Sequence, residues 1–161
     1  MDTKLRPADR RDKLLYKNLF NLYQSEFFAY YRDRFRYVDE NGYFDADTVN
    51  EIFPPDNAIL PFVITEDGKN IGLLLITKPP YASRDYCVEE FYIVPGARGM
   101  GAAQRAVRAF WNAHPGVYTL EVFAENRRAY AFWKKLIAED GQPLSEVPEK
   151  DGMTELTFII S

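Results

Sequence analysis

The stretch Arg98-Gly99-Met100-Gly101-Ala102-Ala103 carries the clearest chemistry in this chain. It follows an apolar, β-prone run (Val88, Phe91, Tyr92, Ile93, Val94) that Pro95 and Gly96 break. It precedes a helical pattern with Ala103, Ala106, Val107, Phe110 and Trp111 on one stripe. A strand, a small-residue loop and a helix N-terminus in that order make an anion cradle. Glycine lets backbone approach a ligand, and the first helical turn leaves N–H groups without partners. The expected occupant is the pyrophosphate of a cofactor. Two carboxylates, Glu89 and Glu90, stand in the same apolar strand. An unpaired carboxylate is costly to bury, so each is a candidate base unless it sits at the exposed strand start or pairs with an arginine.

Other reactive side chains argue against other chemistries. His114 is the sole histidine and lies in the stop Ala113-His114-Pro115-Gly116. A Ser-His-Asp triad or a histidine metal cluster would rest on that one turn residue. Cys87 is the sole cysteine, which excludes an intrachain disulfide and a thiolate metal site. Beside an apolar strand it reads as a small core residue. No metal is expected.

The elements that must position these groups are those of one domain, expected over residues 1–161. Hydrophobic residues at 47% and charged at 27% are globular values. Aromatics reach 16%, which fits either an aromatic core or a ring-lined pocket. The net charge of −4 argues against nucleic acid as a partner and weakly favours a cationic small substrate. The basic run Arg32, Arg34, Arg36 reads as a solvated loop. The N-terminus lacks the apolar core of a signal peptide. The longest apolar run, Ile71 to Ile76, is interrupted by Gly72 and is too short for a bilayer. A cytoplasmic protein with no membrane partner is expected.

Along the chain, Lys4 to Arg6 reads as a short strand stopped by Pro7. Asp9 then caps a helix over about residues 9–31, on Leu15, Leu19, Leu22 and Tyr23. Asp45 caps a short helix over Ala46 to Phe53. Ala58–Thr65 and Asn70–Lys78 flank an Asp67-Gly68 hairpin turn, and Pro61 places the first run near an edge or a bulge. Val117–Phe123 alternates as a strand, Arg127 to about Ala138 is helical, and 144–148 and 154–160 read as strands. The order β-α-(α)-β-β-β-α-β-α-β-β implies a mixed α/β sheet.

Among phosphate-binding patterns, the Walker loop lacks its lysine–serine or lysine–threonine. The dinucleotide fingerprint has Gln104 at its third glycine. Arg98-x-x-Gly101-x-Ala103, with Tyr92-Ile93-Val94-Pro95 before it and Asn126-x-x-Ala129 after the next strand, resembles the GNAT superfamily of N-acetyltransferases. The resemblance implies a mixed, mostly antiparallel central sheet of about six to seven strands flanked by helices. It implies acetyl-CoA as the acyl donor. Arg98, Gly99, Met100, Gly101, Ala102 and Ala103 then hold its pyrophosphate. Ile93 and Val94 pair with the pantetheine in a gap between two strands, and Asn126 and Trp133 border the cofactor.

The activity so implied is transfer of an acetyl group to a primary amine of a small molecule or protein, by direct attack in a ternary complex. It needs a base, for which Glu90 is the candidate, and an oxyanion donor, for which a backbone N–H near Ile93 or Val94 is the candidate. The family's frequent tyrosine proton donor is replaced by Trp133, whose indole N–H is no useful acid. Tyr130, one helical turn earlier, is the candidate substitute. Ile137-Ala138 also replaces a frequent Gly-Phe pair. The alternative is a non-catalytic acyl-CoA-binding module, and a lesser one is an unrelated nucleotide-binding domain. A monomer or homodimer is expected.

Overall fold

The computed structural model describes residues 1–30, 36–80 and 83–161. Tyr31, at the end of the first expected helix, and Arg32 and Arg34 of the basic run lie outside the described residues. The elements are β1 (Thr3–Pro7), α1 (Lys13–Phe27), β2 (Ile59–Glu66), β3 (Lys69–Thr77), β4 (Tyr86–Ile93), α2 (Ala102–Ala113), β5 (Gly116–Phe123), α3 (Arg127–Asp140), β6 (Gln142–Pro148) and β7 (Met153–Ile160). The strands form one open sheet in the order β1-β2-β3-β4-β5-β7-β6. Its pairs are antiparallel except β4 with β5, which is parallel. This is the mixed, mostly antiparallel sheet flanked by helices that the resemblance implies. No helix among the described residues is long and apolar enough to cross a membrane.

The hairpin forms as the Asp-Gly signal requires: Asp67 and Gly68 both adopt positive φ, which matches the twist of the flanking strands. β2 and β3 are covered on both faces, which explains their nearly unbroken apolar runs. On one face α1 packs Tyr16, Leu19 and Phe20 against Val63, Leu73, Leu75 and Tyr92. On the other, Ala106, Val107, Phe110 and Trp111 of α2 and Trp133, Leu136 and Ile137 of α3 pack against Ile64, Leu74, Leu120 and Phe158. The helices thus divide the sheet unequally, and the α1 cluster draws none of its buried members from β5, β6 or β7.

Several boundaries differ from the sequence expectation. Asp9 caps a 3-10 turn over Arg10–Asp12, accepting from the Arg11 N–H at 2.8 Å, and α1 begins only at Lys13. α1 ends at Phe27, well short of residue 31. The expected helix at 46–53 is a 3-10 turn, Thr48–Glu51, and Asp45 accepts from the Asp47 N–H and the Thr48 hydroxyl just before it. Val49, Ile52 and Phe53 do face the core, but Pro54 and Pro55 follow at once and have no N–H to carry an α-helical ladder onward. Pro61 is not on an edge strand. Its carbonyl accepts from the Ala8 N–H at 2.8 Å, just past the last residue of β1, so its missing N–H falls where the β1 ladder stops.

Tyr16 ties helix to sheet. It is fully buried, and its hydroxyl donates to the Phe62 carbonyl at 2.7 Å with the Leu74 carbonyl at 3.1 Å. Tyr16→Phe is expected to cost about 1–2 kcal/mol, seen as a melting temperature lowered by roughly 3–6 °C. An unchanged melting curve would show that this bond does not anchor α1.

Candidate active site

The site begins where β4 and β5 part. Their parallel pairing runs only through Tyr86–Tyr118, Cys87–Thr119 and Val88–Leu120. Beyond it β5 stays paired with β7 as far as Phe123–Met153, and β4 stays paired with β3 as far as Ile93–Gly72. A β-bulge sits at the parting: Leu75 faces Glu90 and Ile76 faces Val88, so Glu89 is the extra residue. The bulge also resets the alternation. Val88 and Phe91 point to the α2/α3 core, whereas Glu90 sits in register with Leu75 and two residues from Tyr92, both in the α1 core. Without it, Glu90 would share the face of Val88.

The parted strands open a cleft of about 780 Å³. β4 and β5 line its walls, Tyr23 and Phe27 of α1 and Tyr30 just past its end close it, and the cradle loop and α3 bound the far end. In an antiparallel ladder alternate residues turn both backbone groups to the same neighbour. The Val94 N–H donates to the Ile71 carbonyl of β3 at 2.8 Å, so Ile93 turns its N–H and C=O toward the gap. The Ile93 carbonyl accepts from Arg98 Nε at 2.8 Å on that side. Of the two backbone donors considered for the oxyanion, Val94 is therefore already committed.

The cradle is held open from below. Gly99 and Gly101 have φ of 87° and 84°, a region side chains rarely enter. Gly101 is the N-cap of α2 and has no side chain to cap with, and the Arg105 N–H bonds to its carbonyl at 3.1 Å. The first N–H groups of α2, at Ala102, Ala103 and Gln104, stand at the cleft. Arg105 braces the loop through the Met100 carbonyl at 2.8 Å and anchors it to Glu66 at 3.1 Å and Thr3 at 2.9 Å. Arg98 makes a bidentate pair with Glu26 on α1 at 3.0 and 2.8 Å, which holds the Glu26 carboxyl below its usual range. Its side chain is a strut between α1 and β4, and the cradle's own donors are backbone.

Of the sequence-chosen residues, Glu90, Ile93, Arg98, Gly99, Gly101, Ala102, Ala103, Asn126 and Trp133 line one cleft. Asn126 caps α3, its Oδ1 accepting from the Ala129 N–H at 3.2 Å. Trp133 is buried, edge-on to Phe91 at 5.5 Å. Met100 is exposed, and neither it nor Val94 lines the cleft. Tyr130 does not line it either: its hydroxyl donates to Glu146 on β6, which Lys134 also holds. Glu89 is exposed and accepts from the Thr77 hydroxyl at 2.7 Å. His114 ends α2, with Nδ1 3.0 Å from the Phe110 carbonyl and its ring stacked on Phe110.

Glu90 is half-buried among Tyr23, Phe91 and Tyr92, and loss of water pushes its carboxyl up to about 7. A hydrogen bond from Tyr23 opposes the rise and the Glu89 charge adds to it. Tyr23 is itself raised well above the usual tyrosine range, by burial first and by Glu90 second. Tyr23, Glu26, Phe27 and Tyr30 belong to the site, although helical spacing marked Tyr23 only as core stripe and gave Glu26 no role. Their chemistry depends on which strand the end of α1 crosses, which spacing along one helix does not encode.

A mixed open sheet whose single parallel pair parts around a glycine-rich helix N-terminus is the architecture of an acyltransferase class. The match to the family described as acetyltransferase (GNAT) covers residues 16–137. The chain belongs to that family. An acetyltransferase from Thermus thermophilus superposes with a TM-score of 0.75 at 16% identity, over 99% of this chain and 98% of that one. A spermidine N-acetyltransferase chimera from Vibrio cholerae and hSSAT gives 0.63 at 20%, over 99% and 96%. Arabidopsis thaliana NAA60, in complex with a bisubstrate analogue, gives 0.59 at 12%, over 99% and 98%. Comparison with curated proteins returned no match.

Because the folded-state value of Glu90 lies above the ordinary 4.5, its protonated form is favoured by the fold. That contribution is fully present below pH 4.5 and is lost as pH rises through about 7. Glu90→Gln is therefore expected to raise the melting temperature at pH 8 by at least ~2 °C, roughly 1 kcal/mol, and to change it less at pH 5. An equal shift at both pH values would contradict a desolvated carboxyl.

Proposed function

We propose that residues 1–161 form one acetyl-CoA-dependent N-acetyltransferase domain acting on a primary amine of a small molecule or protein. The observation that carries this reading is the convergence on one cleft of an uncapped helix end, a gap-facing strand edge and a desolvated carboxylate. Acetyl-CoA fits these features. The N–H groups of Ala102, Ala103 and Gln104, with the positive-φ glycines beside them, suit a pyrophosphate. The C=O of Ile93 suits an amide N–H of an extended chain laid against β4, which leaves the Ile93 N–H for the thioester carbonyl. Asn126 and Trp133 border that chain from α3.

Acetyl-CoA supplies the activated thioester. Glu90 takes a proton from the acceptor ammonium, leaving a neutral amine whose nitrogen forms the new C–N bond as the C–S bond breaks. The Ile93 N–H stabilises the negative charge on the carbonyl oxygen. Glu90 passes that proton to solvent, and the second proton, carried by the nitrogen once the C–N bond forms, goes to the departing sulfur. A thiol has a pKa near ~8.5, so it departs readily as thiolate without a strong acid. Trp133 at the usual donor position is compatible with that. Tyr130, tied to Glu146, has no part in this scheme.

The second reading is a non-catalytic acyl-CoA-binding module, favoured by Trp133 and by the engagement of the Tyr130 hydroxyl. Free-thiol release over a panel of amines separates the two. Ala103→Glu puts negative charge in the first turn of α2, where it suits the helix but repels phosphate. Acetyl-CoA affinity measured by calorimetry is expected to fall at least about 100-fold with the fold intact, and unchanged affinity would refute the cradle.

The acid limb of kcat/KM is expected near pH 7, where Glu90 loses its proton. Glu90→Gln is expected to remove that limb and lower kcat by about 10²–10⁴-fold. A limb that survives the substitution would assign the base elsewhere.

A further inference from the structure

On the face shared with α1, β5 and β7 carry a register of polar pairs. Thr119 lies opposite Thr157, and Glu121 lies opposite Glu155. Like charges directly across an antiparallel pair are destabilising, so this pairing works against the sheet. Glu149 adds a third carboxylate, and the three acidic groups lie within 4.8 Å of one another. Burial, then Glu149, Asp151, Glu155 and Glu89, hold the Glu121 carboxyl above its usual range. Among the described residues Arg84 stands 3.9 Å from Glu155, a loose contact.

One row below, the buried hydroxyl oxygens of Thr119 and Thr157 have no hydrogen-bond partner among the described residues. Thr157 is only 3% exposed. A buried hydroxyl without a partner is uncommon and marks a place where a polar ligand or water fits. Thr119, Glu121 and Glu155 all line the cleft that holds Glu90. The cleft is therefore polarised. Its cradle end has helix N–H groups and Arg128, and its β5/β7 end has carboxylates and the orphan hydroxyl of Thr119.

We propose that the acceptor is a linear amine bearing a second ammonium group, which Glu121 and Glu155 hold while the reacting nitrogen lies at Glu90. This rests on the transferase reading and narrows its substrate class. β4 and β7 flank β5, so they stand two strand spacings, roughly 10 Å, apart where all three pair. Glu90 lies beyond the parting of β4 from β5, and the two nitrogens are therefore separated by several methylenes. The second ammonium offers donors that the opposed glutamates and the Thr119 hydroxyl can accept. It also relieves the like-charge pairing of the strands.

The test compares hexamethylenediamine with aminohexanol, a monocation of equal length, against the full chain by calorimetry with and without acetyl-CoA. The diamine is expected to bind at least about tenfold more tightly, and high salt is expected to shrink the difference. In the double variant Glu121→Gln, Glu155→Gln the preference is expected to fall below about threefold. Its melting temperature should hold or rise, because a repulsion is removed. Equal binding of the two amines overturns the proposal, as does a preference that survives both substitutions. Calcium displacing the diamine at low micromolar concentration would reassign the acidic group to a metal. Thiol release with no diamine preference would leave the transferase standing without this substrate class. Diamine preference without thiol release would do the reverse.

Discussion

Everything at the site depends on one parallel strand pair that stops early. β4 and β5 share a ladder only through Val88 and Leu120, and each then follows its other neighbour. Parting leaves the inner edges of both strands without a neighbouring strand, which a sheet normally avoids. Here the exposed edge is short and flanked by the start of α2 and by Asn126 and Trp133 of α3. The Glu89 bulge lets β4 bend away while its ladder with β3 continues. One extra residue thus opens the gap and turns Glu90 to the α1 side.

The cradle is stiff because its arginines face inward to protein. Arg98 joins the end of β4 to α1, and Arg105 joins the loop to β1 and β2 through Thr3 and Glu66. Bidentate guanidinium–carboxylate pairing sets orientation as well as attraction, so the backbone N–H groups are aimed in advance. Preorganised donors need no rearrangement when charge arrives. The same Arg98–Glu26 pair ties the cradle to the helix that carries Tyr23, and Tyr23 reaches Glu90. Candidate cradle and candidate base are therefore joined through the last turns of α1.

Much of this was legible because local chemistry dictated it. The Asp67-Gly68 turn, the stripe of α2, the Asn126 cap of α3 and the small-residue cradle each depend on near neighbours in the chain, and each appears in the structure. Boundaries shifted where tertiary packing outweighed propensity: α1 starts after a capped 3-10 turn, and the 48–51 segment never becomes α-helical. The positions of Tyr130 and Tyr23 were not legible. A tyrosine on a helix stripe looks alike whether it meets a cleft, a core or a strand-edge carboxylate such as Glu146.

The sequence alone determined the element order, the small-residue loop ahead of a helix and the presence of two glutamates in an apolar strand, since these follow from residue type and short spacing. Only the tertiary structure decided which glutamate enters the cleft. Period-two alternation assigns Glu90 to the face of Val88, and the single-residue bulge reverses that assignment. It also brought Glu121 and Glu155 face to face, because β7 inserts between β5 and β6. Strand insertion and register are non-local pairings, and spacing along the chain does not encode them.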